Sequence, residues 1–400
     1  MFKGGLILKD RIILHCDLNN FFASVSLLFN STIKDSPVAV CGDKENRHGI
    51  ILAKNELAKK FGVKTAEPIF EAKNKCPDLI LLPPIMDKYK EYSKKAHKIY
   101  ERYTDMIEPF GIDECWLDVT GSTVLFGDGE TIANKIRKDI KSELGLTISV
   151  GVSFNKVFAK LGSDFKKPDA VTVITRENFK EKIWKLDASE LLFVGKRTND
   201  KLKSNGINTI GDIATCNEAT LQHLLGKSGV ELLHYARGED ISPVSVYTEE
   251  YKPKSIGRST TSGKDFTTNE EVWKAFLIFA EEISDTLHKK HLFASGVQVH
   301  IRNTSLSVKE FSYSFSDSIN SSLAIAKRGF DLFLKNYTFG EPLRSVGLRA
   351  INLKDSCENA VQQDIFGESN KDLEIEKIED SIYELKQKFG KSSIKRGTTI

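Results

Sequence analysis

The strongest constraint in the chain is the placement of three carboxylates. Asp17 follows a short apolar run in RIILHCDLNNFFASV, and Asp113 and Glu114 lie side by side in EPFGIDECWLDVTGS. The first run reads as a buried strand, and the paired acids sit where two β-like runs meet at a tight turn. A strand end and a hairpin tip that each present acid suit two divalent ions about 3.5–4 Å apart, an arrangement that serves phosphoryl transfer. Mg²⁺ takes a few carboxylates and completes its octahedron with phosphates and water. An adjacent Asp-Glu pair is ordinarily a solvated turn. The flanking apolar runs and the third acid at a strand end favour metal here.

At 400 residues the chain suits two to four domains. Its 40% apolar and 28% charged residues are those of a soluble globular protein. No apolar stretch approaches the roughly 20 residues of a membrane span. MFKGGLILKDRI lacks the apolar core and cleavage site of a secretory signal, so the expected location is the cytoplasm. The six cysteines form no CxxC pair, which argues against a zinc site or a disulfide framework. A net charge of +3 is less informative than its distribution. Residues 251–354 carry 15 Lys and Arg against 10 Asp and Glu, and residues 355–400 carry 7 against 10. A basic domain before an acidic tail is compatible with binding a phosphate backbone.

Residues 11–17 read as a strand, and NNFFASVSLLFN as the helix after it. SPVAVCG is a second strand, and GIILAKNELAKKFGV is a strand running into a short helix. MDKYKEYSKKAHKIYERYTD predicts a long amphipathic helix with Tyr89, Tyr92, Ala96, Ile99 and Tyr103 on one face. Ile132, Ile136, Ile140 and Leu144 at strict i+4 spacing predict another. LTISVGVS is a strand and NKVFAKLGSDFKK a basic helix. The resulting order implies an antiparallel sheet with helices on one face, an α+β arrangement. Residues 175–246 read as short helices broken by glycines, and such helix–hairpin–helix turns can aim backbone N–H groups at a phosphate. YTEEYKPKSIG is a linker, and the following order is βαββαβ. The last helix carries Ile378, Ile382, Leu385 and Phe389 on one stripe.

Several spaced motifs together resemble the Y-family DNA polymerases of the DinB type. They are DLNNFFASV, AKKFGVKTAEPI, GIDECWLDVTG, VGVSFNKVFAKLGSDFKKP and KSIGRSTTS. The resemblance covers nearly the whole chain. It implies an α+β multidomain right-hand polymerase: a palm with an antiparallel sheet (1–20 and 84–174), small fingers (21–83) and a helix–hairpin–helix thumb (175–246). A linker (247–254), a βαββαβ little finger (255–354) and a C-terminal tail (355–400) follow. The implied activity is low-fidelity, translesion DNA synthesis without proofreading, with primer-template DNA and dNTP as substrates.

The resemblance also implies roles for residues. Asp17, Asp113, Glu114 and the Leu18 carbonyl would hold two Mg²⁺, or Mn²⁺. Phe22 resembles the steric gate that excludes a ribose 2′-hydroxyl, while Phe21 lines the nucleotide site and packs inward. Lys167 would meet the triphosphate, with Lys156 beside the same helix. Asp118 is expected to be structural. The fingers helix departs from the family pattern, with Glu56 and Lys59 where a tyrosine and an arginine are common. Either Glu56 faces away from the phosphates, or this helix contributes less and Lys59 and Arg47 compensate; a lysine replaces an arginine's charge but not its bidentate fork. The first thumb turn departs too, since Phe193 stands where the family commonly has glycine. Gly195, Lys196, Gly226 and Gly229 of the thumb, with Lys254 and Arg258 of the little finger, are the expected DNA contacts. QQDIF resembles the bacterial sliding-clamp peptide, with Gln362, Asp364, Ile365 and Phe366 as its contacts. The chain is expected to act as a monomer.

Two rival readings use the same features. A palm-fold nucleotidyl cyclase needs the same acids, but it has no use for helix–hairpin–helix segments or a basic final domain. A catalytically inactive factor that binds DNA and the clamp would not need all three acids.

Overall fold

The computed structural model describes residues 10–42, 49–246, 253–355, 378–379, 381–386, 388–390 and 393–394. The chain divides into two units, residues 1–249 and 250–400. The strands of the first unit are β1 (Ile13–Leu18), β2 (Val38–Cys41), β3 (Ile51–Lys54), β4 (Ile80–Leu82), β5 (Ile107–Pro109), β6 (Glu114–Asp118), β7 (Ile148–Ser153) and β8 (Val171–Val173). Those of the second are β9 (Ser255–Phe266), β10 (Leu292–Asn303), β11 (Val308–Ile319) and β12 (Leu343–Asp355).

The central sheet of the first unit runs β5-β6-β1-β7-β8. Its first four strands are antiparallel, but β8 pairs parallel to β7, so the sheet is mixed rather than purely antiparallel. The expectation of helices on one face also needs correction. Leu14, Cys16 and Leu18 point into a core shared with the helices Met86–Tyr100 and Gly129–Asp139. Ile13 belongs to a separate cluster that includes Ala159 of the helix Lys156–Phe165, which covers the opposite face. Every residue of β1 is therefore buried, including His15 and Asp17, which alternate with Leu14, Cys16 and Leu18 and lie on the face that this helix covers.

The strict i+4 spacing of Ile132 to Leu144 has its own outcome. A 3.6-residue helix drifts away from such a stripe. The helix Gly129–Asp139 passes into a π turn over Ile140–Leu144; Ile132, Ile136 and Ile140 are buried in the core and Leu144 is half-buried against it.

The helix Phe21–Leu28 follows β1 and leads to a small sheet in the order β3-β2-β4. Asn55 caps the helix Glu56–Lys60 through a 2.9 Å bond from Ala58 N–H. The segment 175–246 is a set of short helices around a core that includes Leu191, Leu202, Ile213, Leu221 and Leu233 and takes in Phe158 and Leu161 of the helix Lys156–Phe165.

The second unit is βαββαβ, as the sequence predicts, with sheet order β11-β10-β12-β9. Thr268 and Glu271 form a capping box at the start of the helix Asn269–Lys289. Glu379 of the C-terminal helix accepts hydrogen bonds from Ser322 N–H at 2.8 Å and Ser322 Oγ at 2.7 Å, at the start of the helix Ser322–Asn336. Gln362, Asp364, Ile365 and Phe366 lie outside the described residues, as does Arg47.

Candidate active site

β1 and β6 bring two acids together by register. Asp17 lies directly opposite Glu114, and Leu18 N–H donates to the Asp113 carbonyl at 3.1 Å. Cross-strand partners share a face, so Asp17 and Glu114 both project toward the helix Lys156–Phe165. That helix starts where it does because Asn155 caps it, accepting from Phe158 N–H at 2.8 Å. It sits close to the sheet because Gly151 and Gly162 meet without side chains between them.

The helix presents Lys160 to the acids. Its Nζ lies 2.9 Å from Glu114 Oε2, 3.4 Å from Asp17 Oδ2 and 3.4 Å from Asp164 Oδ2. Lys167, just past the helix, lies 2.6 Å from Asp17 Oδ2 and 2.8 Å from Asp164 Oδ1. Beneath them His15 is wholly buried, with Nδ1 2.9 Å from Ser163 Oγ and Nε2 3.3 Å from Glu114 Oε2.

The charges follow from this geometry. Burial lowers the pKa of Lys160 and Lys167, but their acidic neighbours outweigh it and hold both above the ordinary lysine value. Burial alone would raise Glu114; His15 and Lys160 outweigh it and hold the carboxyl below the usual range. Burial also lowers His15 despite the upward pull of Glu114. Asp113 behaves differently. It has no ion-pair partner among the described residues, and burial with the nearby charges of Asp17 and Glu114 pushes it up to about 6.

An under-compensated carboxyl beside two others is a donor set that fits a hard divalent cation. Glu114 Oε2 is buried and faces only the Lys160 ammonium and the His15 ring, positive or neutral groups that a cation could replace. Among the described residues, no group of three or more His, Cys, Asp or Glu side chains already forms a metal cage. Lysine ammonium groups instead occupy the space beside the acids.

Phe21 is buried, as expected, and Phe22 is half-buried and stacks on Tyr89. Asn20, left-handed at φ 49°, turns the chain between Asp17 and this helix. Asn20 Nδ2 donates to Glu56 Oε1 at 2.9 Å, and Lys59 Nζ lies 3.8 Å from the same oxygen. Glu56 is thus engaged by Asn20 and Lys59. Asp118 is structural, accepting from Thr120 N–H and Oγ1.

Several expected contacts fall elsewhere. Lys156 turns away from the acids, bonds Glu108 Oε1 at 2.6 Å and lies over the Trp116 ring. Gly229 is buried, and a Cβ there would lie 2.2 Å from the Leu221 carbonyl oxygen. It is a packing glycine of the helix Lys227–Arg237 and not part of an exposed phosphate turn. Gly195 and Gly226 do stand in open space, and Lys196 is exposed. Lys254 is exposed, whereas Arg258 is engaged, its Nε 2.6 Å from Glu282 Oε2. Lys160, His15, Ser163 and Asp164 are site residues that sequence reasoning did not single out. Lys160 and Asp164 lie in the quoted AKLGSD segment, four residues apart, so they share a helix face.

This chain matches the impB/mucB/samB family over residues 16–164 and the C-terminal domain of that family over residues 253–365. Residues 191–240 match the DNA polymerase-iota thumb domain. The chain is 46% identical to DNA polymerase IV of Acetivibrio thermocellus across 98% of each chain. It is 35% identical to DNA polymerase IV 1 of Bacillus subtilis, over 98% of this chain and 94% of that one. A solved Y-family DNA polymerase chimera superposes with a TM-score of 0.76 at 25% identity, covering 86% of this chain and 99% of that one. With the fold, the opposed acids and these likenesses in agreement, the chain belongs to the impB/mucB/samB family of Y-family DNA polymerases.

Proposed function

We propose that this translesion DNA polymerase extends a primer 3′-hydroxyl with dNTPs at the cluster of Asp17, Asp113 and Glu114. The observation that carries the reading is the cross-strand register of Asp17 and Glu114, with Asp113 beside them and two lysines facing them. Divalent ions held by the three acids and the Leu18 carbonyl, Mg²⁺ with Mn²⁺ as an alternative, would supply the charge that eases loss of the primer hydroxyl proton and release of pyrophosphate.

The chain's own groups do the rest. Lys160 keeps the acids apart from one another's charge before substrate arrives. Lys167 is a compact point charge on a flexible stem, able to leave Asp17 for a triphosphate oxygen. Phe22 presents its ring to the sugar and leaves no room for a 2′-hydroxyl, with Phe21 anchoring the same turn. Lys59 adds charge from the fingers. Gly195, Lys196 and Gly226 of the thumb, and Lys254 of the little finger, meet the phosphates of primer-template DNA. Small fingers enclose the nascent pair loosely, which weakens shape selection and admits bulky template bases.

The tail peptide at Gln362, Asp364, Ile365 and Phe366 would dock on the bacterial sliding clamp. Its apolar pair would serve as anchors and Gln362 as a polar contact. The enzyme would work as a monomer in the cytoplasm. Among the described residues no helix is long and apolar enough to cross a membrane.

Glu114→Gln tests the assignment. Primer extension should be lost while primer-template binding by fluorescence anisotropy is kept. A variant that still extends would remove Glu114 from the chemistry.

A further inference from the structure

The thumb contains two tight turns that each lead into a helix. Gly226 precedes Lys227–Arg237 with φ 68°, and Phe193 lies three residues before Lys196–Ser204 with φ 71°. Glycine adopts such a φ at no steric cost. For a bulky residue it is a genuine outlier.

Core packing gives no reason for the phenylalanine. Val194 is buried and Leu192 half-buried in the thumb core, whereas Phe193 is 64% exposed. Its one ring neighbour among the described residues is Tyr235, with centroids 6.1 Å apart. The chain thus keeps a large apolar ring on its surface, in a backbone conformation that glycine would take freely. Residues held in such conformations cluster where a ligand is clamped.

The surroundings indicate the ligand. Lys196 and Arg197 are exposed in the first turn of the helix after Phe193, and neither has a hydrogen-bond or ion-pair partner among the described residues. Asp187, the acid of the preceding turn, is already matched by Lys203 at 2.7 Å. An exposed ring beside two uncompensated cations complements a surface that alternates apolar and anionic groups at short spacing. The DNA backbone does this, with deoxyribose edges between phosphates.

We infer that Phe193 is a DNA-contacting residue of the thumb, packing its ring on a deoxyribose of duplex DNA while Lys196 and Arg197 meet the adjoining phosphates. The inference deepens the polymerase reading and rests on it.

Full-length Phe193→Gly decides the matter, because the two effects have opposite signs. The turn relaxes, so the variant should melt at or above the wild-type temperature. It should also bind a primer-template duplex about tenfold more weakly, the scale of losing a partly buried aromatic contact. The slope of log Kd against log salt should stay as in wild type, because no phosphate contact is lost. Lys196→Ala with Arg197→Ala should reduce that slope by roughly 1 per residue. Wild-type affinity in Phe193→Gly would overturn the contact. A lowered melting temperature with weakened binding would also overturn it, making Phe193 structural. If the wild-type chain bound no primer-template at all, the polymerase reading would fail first and this inference with it.

Discussion

Phe22 lies flat on Tyr89, with ring centroids 4.2 Å apart and planes within 9° of parallel. Tyr89 is itself wholly buried, and its hydroxyl meets Ser26 Oγ at 2.7 Å on the helix that carries Phe22. The ring of Phe22, the proposed gate, is therefore backed by a second ring that is tied to its own helix. Phe22→Ala should raise ribonucleotide incorporation by roughly 10–200-fold, the scale at which a pocket discriminates one small group. Tyr89→Phe keeps the stack and loses one hydroxyl bond. It should cost about 0.5–1.5 kcal/mol of stability and leave sugar selection intact. Single-turnover insertion of matched dNTP and rNTP reads both. Unchanged sugar preference in Phe22→Ala would remove the gate assignment.

Gly151 governs where the lysines stand. A Cβ at this position would lie 1.9 Å from the Ala159 carbonyl oxygen and 2.5 Å from Ser163 N. Both neighbours are backbone, so neither can move aside as a flexible side chain would. Gly151→Ala should lift the helix Lys156–Phe165 and cost about 3 kcal/mol, the upper range for overpacking a core. It should also withdraw Lys160 from Glu114. Urea unfolding and primer extension together check this; a variant with wild-type stability and rate would contradict the crossing.

These two sites show what the sequence makes legible. Asp17, Asp113 and Glu114 could be read because each terminates or interrupts an apolar run. The gate role proposed for Phe22 rests on the resemblance of DLNNFFASV to the family motif, since an aromatic pair at a helix start is by itself ordinary core. Lys160 was harder to find, although it stands in the same segment as Lys156 and Lys167. Which lysine meets the acids depends on the helix's rotation about its axis, and the contact of Gly151 with Gly162 sets that. Gly229 shows the same limit from the other side. A glycine near a helix start looks alike whether it opens a turn or lets two helices close up, and the Leu221 carbonyl decides for the second. The double burial of β1 had no such signal, because His15 and Asp17 alternate with Leu14, Cys16 and Leu18 as in a strand with one polar face.

Asp113 should give the metal-free protein an unusual pH response. Its carboxyl is pushed up to about 6 by burial and by Asp17 and Glu114, against an ordinary value of 3.8. Between those values the folded state holds a proton that the unfolded chain has lost. Stability from this group is thus full below about 4 and falls as pH rises through 6. In EDTA the melting temperature should drop between about pH 4 and 6 and level off above that, and Asp113→Asn should flatten the drop. An equal slope in wild type and variant would assign the response to another group.

The tail peptide makes a separable prediction. An apolar pair with a preceding glutamine is a compact anchor, and interface energy concentrates in such residues. Gln362→Ala with Phe366→Ala should abolish stimulation by the sliding clamp and leave distributive synthesis unchanged. Product length on a primed circle, with and without clamp, measures it. Equal clamp stimulation in the double variant would refute the docking assignment.

If the proposed metal site is right, Lys160 and a divalent cation compete for the same oxygens, and this gives a test that does not depend on turnover. Its ammonium reaches Glu114, Asp17 and Asp164 at 2.9, 3.4 and 3.4 Å. In the metal-free protein it is the counter-charge that keeps these acids tolerable in a half-buried site. Lys160→Met keeps much of the stem's apolar bulk and removes the charge. Without metal it should cost about 1–3 kcal/mol, the penalty for leaving buried charged groups unsatisfied. With the lysine gone, the acids bind Mg²⁺ without displacing a resident cation, so affinity for the ion should rise. A ligand that binds only the folded state stabilises it by RT ln(1 + [L]/Kd), so tighter binding appears as a larger shift. The rise in melting temperature from EDTA to millimolar Mg²⁺ should therefore be greater in Lys160→Met than in wild type. Primer extension should still fall, because Asp17 and Glu114 lose the group that aligns them. Equal Mg²⁺ shifts in the two proteins would mean that Lys160 and the metal do not share these acids.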